Sequence, residues 1–381
     1  MKVVDLYSGA GGMSLGLTQA GFEVVAAVEI DKIASLTYKS NFGGSHHICD
    51  DVANLPDSFY EKFKGVDLVV GGPPCQGFSI CASNRRQEND ERNRHPLVFI
   101  DAVKRLKPKG FIIENVPQIK TYKLKDKKLL IDQIIEELSS ENYSVEVLEL
   151  NASNFGVPQN RSRVFIVGST KNKSIHEELK KFEHQGVPLT VLDAINDLPA
   201  VVPNKTTDET VLTYKQDTEN HYQSSLRDIV APIKNHVPMR HTKRLIERFS
   251  SIPIGKNGAS VWDEHPAKKR NAKDGESGTK FEQNHRRMDP NKPSPTITAY
   301  CYSTFLHPNQ HRNLTVREFA RIQSFPDSFI FYGPRTSLSK KLLIKKGLED
   351  QIGLNQVNQV GNAVPPRMAK IIGTAIQEII K

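Results

Sequence analysis

Tryptophan occurs once and cysteine four times in this 381-residue chain. No run of apolar residues approaches the roughly 20 needed to cross a bilayer. The cysteines, Cys49, Cys75, Cys81 and Cys301, fall at irregular spacings. Such spacing fits neither a disulfide framework nor a zinc site, so reduced thiols in a cytoplasmic protein without a metal are expected. The opening Met1-Lys2-Val3-Val4-Asp5-Leu6 lacks a long apolar segment and meets an acid at once, which argues against a secretory signal. Acidic residues are outnumbered: 43 Asp and Glu stand against 52 Lys and Arg, a net charge of +9 that favours a polyanionic partner. There is no internal repeat and no heptad array. A hydrophobic share of 38% is sufficient for a core at this length, which suits two domains.

What is present is a regular first part. Strands are expected at Lys2–Tyr7, Glu23–Val28, Val66–Val70, Gly110–Ile113, Val145–Leu150 and Arg163–Val167. Helices are expected at Gly12–Ala20, Lys32–Asn41, Leu97–Leu106 and Leu129–Ser139. Short apolar strands between amphipathic helices predict an α/β fold, a mainly parallel sheet covered on both faces. After about Thr170 the pattern breaks down, and residues to about Gln310 read as a smaller irregular domain, with an exposed loop at Asn271–Thr279. Helix returns at Thr315–Gln323, where Thr315 and Glu318 form a capping-box pattern, and near Pro366–Ile380.

Two turns stand out. Asp5-Leu6-Tyr7-Ser8-Gly9-Ala10-Gly11-Gly12 joins the first strand to the first helix. Its glycines allow a ligand close to the backbone, with the helix N-terminus facing it. Ser14 occupies the third glycine position of a dinucleotide fingerprint, so the turn is not a full match. Glu29, at the end of the next strand, is placed as an acid that takes a ribose hydroxyl pair. Asp51, after a third candidate strand, could bind an adenine amino group. The plainer reading is a glycine-rich turn of the kind common in α/β proteins.

The second turn, Gly71-Gly72-Pro73-Pro74-Cys75-Gln76, holds a thiol after an apolar strand, where open α/β sheets bind ligands. Free cysteine is usually buried as a small apolar residue. A glycine–proline turn with polar neighbours disfavours that for Cys75, whereas Cys49, Cys81 and Cys301 are expected to follow it. Glu114-Asn115-Val116-Pro117 also ends a strand and could face the same cleft, although a helix cap or ion pair would equally explain Glu114. In Gln159-Asn160-Arg161-Ser162-Arg163, strand alternation would place Gln159, Arg161 and Arg163 on one face, suited to a phosphate or a carbonyl-bearing base.

Taken in order, Asp5–Gly12, Glu29, Asp51, Gly72–Gln76, Glu114–Val116, Gln159–Arg163, Arg312–Asp327 and Gly361-Asn362-Ala363-Val364-Pro365 resemble the DNA (cytosine-5) methyltransferase family. The resemblance spans nearly the whole chain except about Thr170–Asn284. It implies a Rossmann-like S-adenosylmethionine-dependent catalytic domain at 1–170 and 330–381, and a target-recognition domain with its return segment at 171–329. It implies that Cys75 adds to C6 of a cytosine flipped from duplex DNA, that Glu114 acts at N3 and the exocyclic amine, and that Arg163 holds O2 with Arg161 assisting. Methyl transfer to C5 would leave S-adenosylhomocysteine. The methyl donor would lie against Tyr7, Gly9, Ala10, Gly11 and Gly12, with Glu29 at the ribose, Ile30, Asp51 and Val52 at the adenine and Pro74 near the methyl. Asn362 and Ala363 would complete the site, with the last helix packed beside the first strand. Gln76, Ser79 and Gln159 would contact DNA or the base, and 77–95 would close over it. Tyr7 stands where phenylalanine is more usual, a change expected to matter little.

In the recognition region, Lys234, Arg240, His241, Lys243, Arg244, Arg248, Lys268, Lys269, Arg270 and Lys273 are candidates for positioning the duplex. Arg287 and Pro293–Thr296 resemble the return segment, and Arg317 with Glu318 is expected to be a structural pair. The resemblance further implies a monomer in the bacterial cytoplasm, at the nucleoid, accompanied or not by a separate restriction endonuclease. Three rival readings remain: a tRNA methyltransferase of the same fold, a silent DNA-binding partner and a nicotinamide dehydrogenase. The first lacks its usual Cys-Phe-Thr segment here, and the other two give Cys75 and Glu114 no role.

Overall fold

The computed structural model describes residues 1–74, 94–124, 127–183, 186–214, 217–227, 232–267, 280, 282–336 and 339–381. Contacts divide the chain into two compact units, Met1–Val187 with Ala363–Lys381, and Pro188–Asn362. These bounds differ from the expected boundaries at 170 and 330. Helix Ile175–Lys180 buries Ile175 and Leu179 in the core of the first unit. Residues from 330 to 362 bond within the second, as where Asn235 Nδ2 donates to Phe331 O at 2.8 Å.

The first unit runs β1 (Lys2–Leu6), α1 (Gly12–Gln19), β2 (Glu23–Val28), α2 (Lys32–Phe42), β3 (His47–Ile48), α3 (Asp57–Phe63), β4 (Leu68–Gly71), α4 (His95–Leu106), β5 (Gly110–Asn115), α5 (Leu130–Ser139), β6 (Ser144–Asn151), β7 (Ser162–Ser169) and α6 (Ile175–Lys180), then a C-terminal helix, Pro366–Ile380. Among the described residues the strands form one seven-stranded sheet in the order β3-β2-β1-β4-β5-β7-β6. The first five are parallel, and β7 runs antiparallel to both β5 and β6.

The sheet follows from strand periodicity. Successive side chains point to opposite faces, so Val4, Val69 and Ile113 enter one core with Phe99, Val103 and Ile134. Val3, Val70 and Ile112 enter the other with Leu17, Ile372 and Ile376. Both faces are covered, which is why the central strands are apolar throughout. The C-terminal helix packs on α1, where a Cβ on Gly16 would come within 2.3 Å of Pro366 O. Helix α4 starts two residues earlier than expected because Pro96, which has no N–H to leave unpaired, fits its first turn.

The second unit combines apolar packing, as at Phe249, Phe319 and Phe325, with buried cations. Arg287 donates to the carbonyls of Ile252, Phe249, His307, Pro308 and Gln310. The helix Val316–Ile322 carries the expected capping box of Thr315 and Glu318. Arg317 and Glu318 are both buried, each with partners of its own. Neighbours on a helix point different ways: Glu318 takes two bonds from Arg312 at 2.8 and 2.6 Å, and Arg317 donates to the carbonyls of Lys234, Pro326 and Phe329. Arg248 and His241 are buried too, and Arg248 Nη2 donates to Gly258 O at 2.8 Å. Neither is a surface phosphate contact, whereas Lys234, Arg240, Lys243 and Arg244 are exposed. Lys268, Lys269, Arg270, Lys273 and the expected loop at 271–279 lie outside the described residues.

Candidate active site

At the carboxyl end of β1 the chain turns through three left-handed residues, Tyr7 (φ 61), Gly9 (φ 55) and Gly11 (φ 101). The two glycines serve different ends. A Cβ on Gly11 would lie 2.4 Å from the Phe42 ring, so packing requires glycine there. A Cβ on Gly9 would meet nothing within 4 Å, which leaves open space over its backbone. Ala10 is buried in the turn and Gly12 opens α1. Ser14, the departure from the dinucleotide fingerprint, donates from Oγ to the buried Asp5 carboxylate at 2.6 Å. Tyr38 donates in turn to Ser14 Oγ at 3.0 Å. Burial pushes the Asp5 carboxyl up to about 7, against the opposing pull of Ser14.

Glu29 sits just past β2, accepting from Gly9 N at 2.9 Å and Asp31 N at 2.7 Å. Burial raises its pKa, and these N–H groups oppose the rise. Next to it, Ile30 is an apolar side chain left 62% exposed, open to cover by a flat ligand. Asp51 caps the 3-10 turn Val52–Asn54 through Ala53 N. Val52, Ala53, Tyr60, Leu97 and Val98, with the charged Arg94, Asp101 and Arg105, line a cavity of about 400 Å³. Between Tyr7 and Gly9, Ser8 Oγ is buried without a hydrogen-bond partner among the described residues. An open glycine, a buried carboxylate, an orphaned hydroxyl and a cavity with apolar and charged lining fit the groups of an adenosyl ligand: hydroxyls, a charged tail and a flat ring. Ser8 and Leu97 were not singled out from the sequence. Only the position of Ser8 inside the glycine turn could have marked it.

At the ends of β4 and β5, a Cβ on Gly71 would fall 2.4 Å from Leu6 O, and one on Gly72 would fall 3.2 Å from Glu114 Oε2. Asn115 Nδ2 donates to Pro73 O at 3.1 Å. Both side chains at the end of β5 therefore reach the turn that leads through Pro74 toward Cys75. Cys75, Gln76 and Ser79, with most of the 77–95 segment, lie outside the described residues, as does Cys81. Cys301 is buried as expected, while Cys49 is exposed.

Glu114 Oε1 lies 3.1 Å from Arg163 Nε, and both side chains are nearly buried. Burial pulls the Arg163 pKa down, and the Glu114 carboxylate pulls it back up. Antiparallel pairing of β7 with β5 brings the two together across 49 residues of sequence, by the register that opposes Asn115 to Val164. Strand alternation, expected to put Gln159, Arg161 and Arg163 on one face, covers only Arg163 of the three. Strand β7 begins at Ser162, and Gln159 and Arg161 precede it, both buried. Arg161 turns to the opposite end of the chain and donates from Nη2 to Ala363 O at 3.1 Å. Ala363 is half-buried; Asn362, before it, is exposed at the end of the helix Gln356–Asn362.

The chain matches known proteins along nearly its whole length. The family description "C-5 cytosine-specific DNA methylase" matches residues 1–378. The type II methyltransferase M.DdeI of Desulfomicrobium norvegicum is 39% identical over 99% of this chain and 88% of its own. M1.HphI of Haemophilus parahaemolyticus is 33% identical over 99% of this chain and 86% of its own. The crystal structure of a prophage-encoded DNA modification methyltransferase from E. coli superposes with a TM-score of 0.74 at 27% identity, covering 100% of this chain and 99% of that one. The chain belongs to the C-5 cytosine-specific DNA methylase family.

Proposed function

We propose that the chain methylates one cytosine within a short specific sequence of double-stranded DNA, with Cys75 as nucleophile and Glu114 and Arg163 as the groups that hold and activate the flipped base. Family membership makes it a cytosine-5 methyltransferase acting on DNA, with S-adenosylmethionine as methyl donor. The observation that carries the residue assignment is the Glu114–Arg163 pair, set beside the glycine that leads into Pro73-Pro74-Cys75.

C5 of cytosine is too weak a nucleophile to accept a methyl group unaided. The Cys75 thiolate adds to C6 and turns C5 into an enamine-like carbon. Glu114 holds N3 and the exocyclic amine, which favours that addition, and Arg163 holds O2 while keeping the Glu114 carboxylate in place. Arg161, bonded to Ala363, steadies the strand that carries Arg163. When bound, S-adenosylmethionine supplies the electrophilic methyl group that C5 takes up. Loss of the C5 proton and β-elimination then free Cys75. The open backbone at Gly9, the Glu29 carboxylate and the Val52–Leu97 cavity would hold the donor, with Tyr7, Ala10, Gly11, Gly12, Ile30, Asp51, Pro74, Asn362 and Ala363 completing its surroundings. Gln76, Ser79 and Gln159 are assigned to DNA and base contacts.

The M.DdeI and M1.HphI relatives carry type II names, which supports a place for this chain in a restriction–modification system, beside a separate endonuclease. Bisulfite sequencing of DNA from cells expressing the chain is expected to show one motif methylated at a single cytosine. A Cys75→Ser protein is expected to bind S-adenosylmethionine, yet to methylate nothing and to form no covalent adduct on 5-fluorocytosine DNA. A fully active serine variant, or methyl groups appearing in tRNA instead of DNA, would overturn the proposal.

A further inference from the structure

Tyr7 combines two features that one contact explains. Its backbone is left-handed (φ 61), a conformation that costs a bulky residue about 1–2 kcal/mol. Its hydroxyl lies 3.2 Å from His95 Nδ1 and 3.4 Å from His95 O. The two rings meet edge to face, with centroids 5.4 Å apart at 84°. The contact joins residues 88 apart in sequence. Burial raises the phenol pKa, with Asp51 and Tyr60 adding to the rise, so the hydroxyl stays protonated and able to donate.

His95 is the first residue of α4, and two residues on, Leu97 and Val98 form one wall of the 400 Å³ cavity. Val52 and Ala53, just after Asp51, form another. The Tyr7 hydroxyl therefore ties the turn after β1 to the end of α4 from which that wall projects. Phenylalanine would keep the edge-to-face contact and lose the tie. The hydroxyl, expected to matter little, has a partner that phenylalanine would lack.

We propose that Tyr7 and His95 are a positioning pair that sets the width of the adenosyl cavity, and so the affinity for the methyl donor, without touching the reacting atoms. The inference rests on the reading of that cavity as the donor site. Calorimetric titration of the full chain with S-adenosylhomocysteine tests both. Tyr7→Phe is expected to weaken binding about three- to tenfold, the effect of losing one partly buried hydrogen bond, and to raise the KM for S-adenosylmethionine more than it lowers kcat. His95→Ala, which removes the ring but leaves the backbone carbonyl, is expected to weaken binding in the same range, and the double variant to lose less than the sum of the two single losses, because both act on one shared contact. His95→Gln, which keeps a polar group within reach of the hydroxyl, is expected to recover most of the affinity lost in His95→Ala. Wild-type affinity in Tyr7→Phe, additive losses in the double variant, or a drop in ligand-free melting temperature large enough to explain the loss would overturn the inference alone. No saturable binding by the wild-type chain would overturn the donor-site reading and the inference together.

Discussion

Glu114 and Arg163 show how one ion pair can serve two purposes. The plainer explanation for an acid at the end of β5, an ion pair, is correct: its carboxylate meets Arg163 at 3.1 Å. The proposed role needs that pair, because a buried carboxylate without a cation would be costly to keep charged. Glu114→Gln keeps the shape of the side chain but removes its charge and its capacity to protonate. It is expected to lower the single-turnover methylation rate by about 10²–10⁴-fold while leaving S-adenosylhomocysteine affinity within twofold. A rate within tenfold of wild type would remove Glu114 from the mechanism. Asn115 has a separate task, holding the Pro73 carbonyl at 3.1 Å. Asn115→Ala is expected to lower the rate of covalent trapping on 5-fluorocytosine DNA by loosening the turn before Cys75, with donor binding retained in a filter assay.

Among the elements, α1 and the C-terminal helix depend on a contact that only glycine permits. Gly16 lies so close to the C-terminal helix that an added Cβ would sit 2.3 Å from Pro366 O and 2.5 Å from the Ala369 Cβ. Gly373 makes the reciprocal approach to Leu17 and Ala20. Gly16→Ala therefore forces the helices apart. It is expected to destabilise the chain by about 1–3 kcal/mol, despite the better helix propensity of alanine, as measured by urea unfolding. An unchanged midpoint would mean that the helices can separate without cost. Because α1 begins at the glycine turn, the same substitution is expected to weaken donor binding as well.

At the scale of the whole molecule, buried titratable groups predict different acid responses in the two units. In the second, His236, His241, His285 and His307 are each lowered to about 4, with burial the largest cause. An unfolded chain binds protons on these groups once the pH falls below about 6.5, and the folded unit does so only near 4. Between those values the unfolded state holds more protons, so stability falls as the pH falls. In the first unit, Asp5, raised to about 7, acts in the opposite sense, because its folded form keeps a proton that the unfolded one loses. His47, lowered to about 4, offsets it. Limited proteolysis at pH 5 is expected to cut within Pro188–Asn362 before the first unit, and at pH 8 to show no such order. Equal cutting of both units at pH 5 would contradict this account.

Chain order and local pattern determined a good deal by themselves. The apolar strands separated by amphipathic helices predict the sheet to within two residues at most strand ends, because burial on both faces demands them. The glycine–proline turn before Cys75, Glu114 and the Arg163 segment were legible because special backbone and charged groups at strand ends stand out from an apolar background. Tertiary structure decided what depends on distant pairing. Antiparallel pairing of β7 beside β5 is what sets Arg163 against Glu114, and local alternation misplaced Gln159 and Arg161, which lie before the strand. The burial of Arg248 and His241, the separate partners of Arg317 and Glu318, and the bond from Tyr7 to His95 follow from packing across tens of residues. A side chain's type states what it can bond to; only the folded chain decides which partner lies within 3 Å.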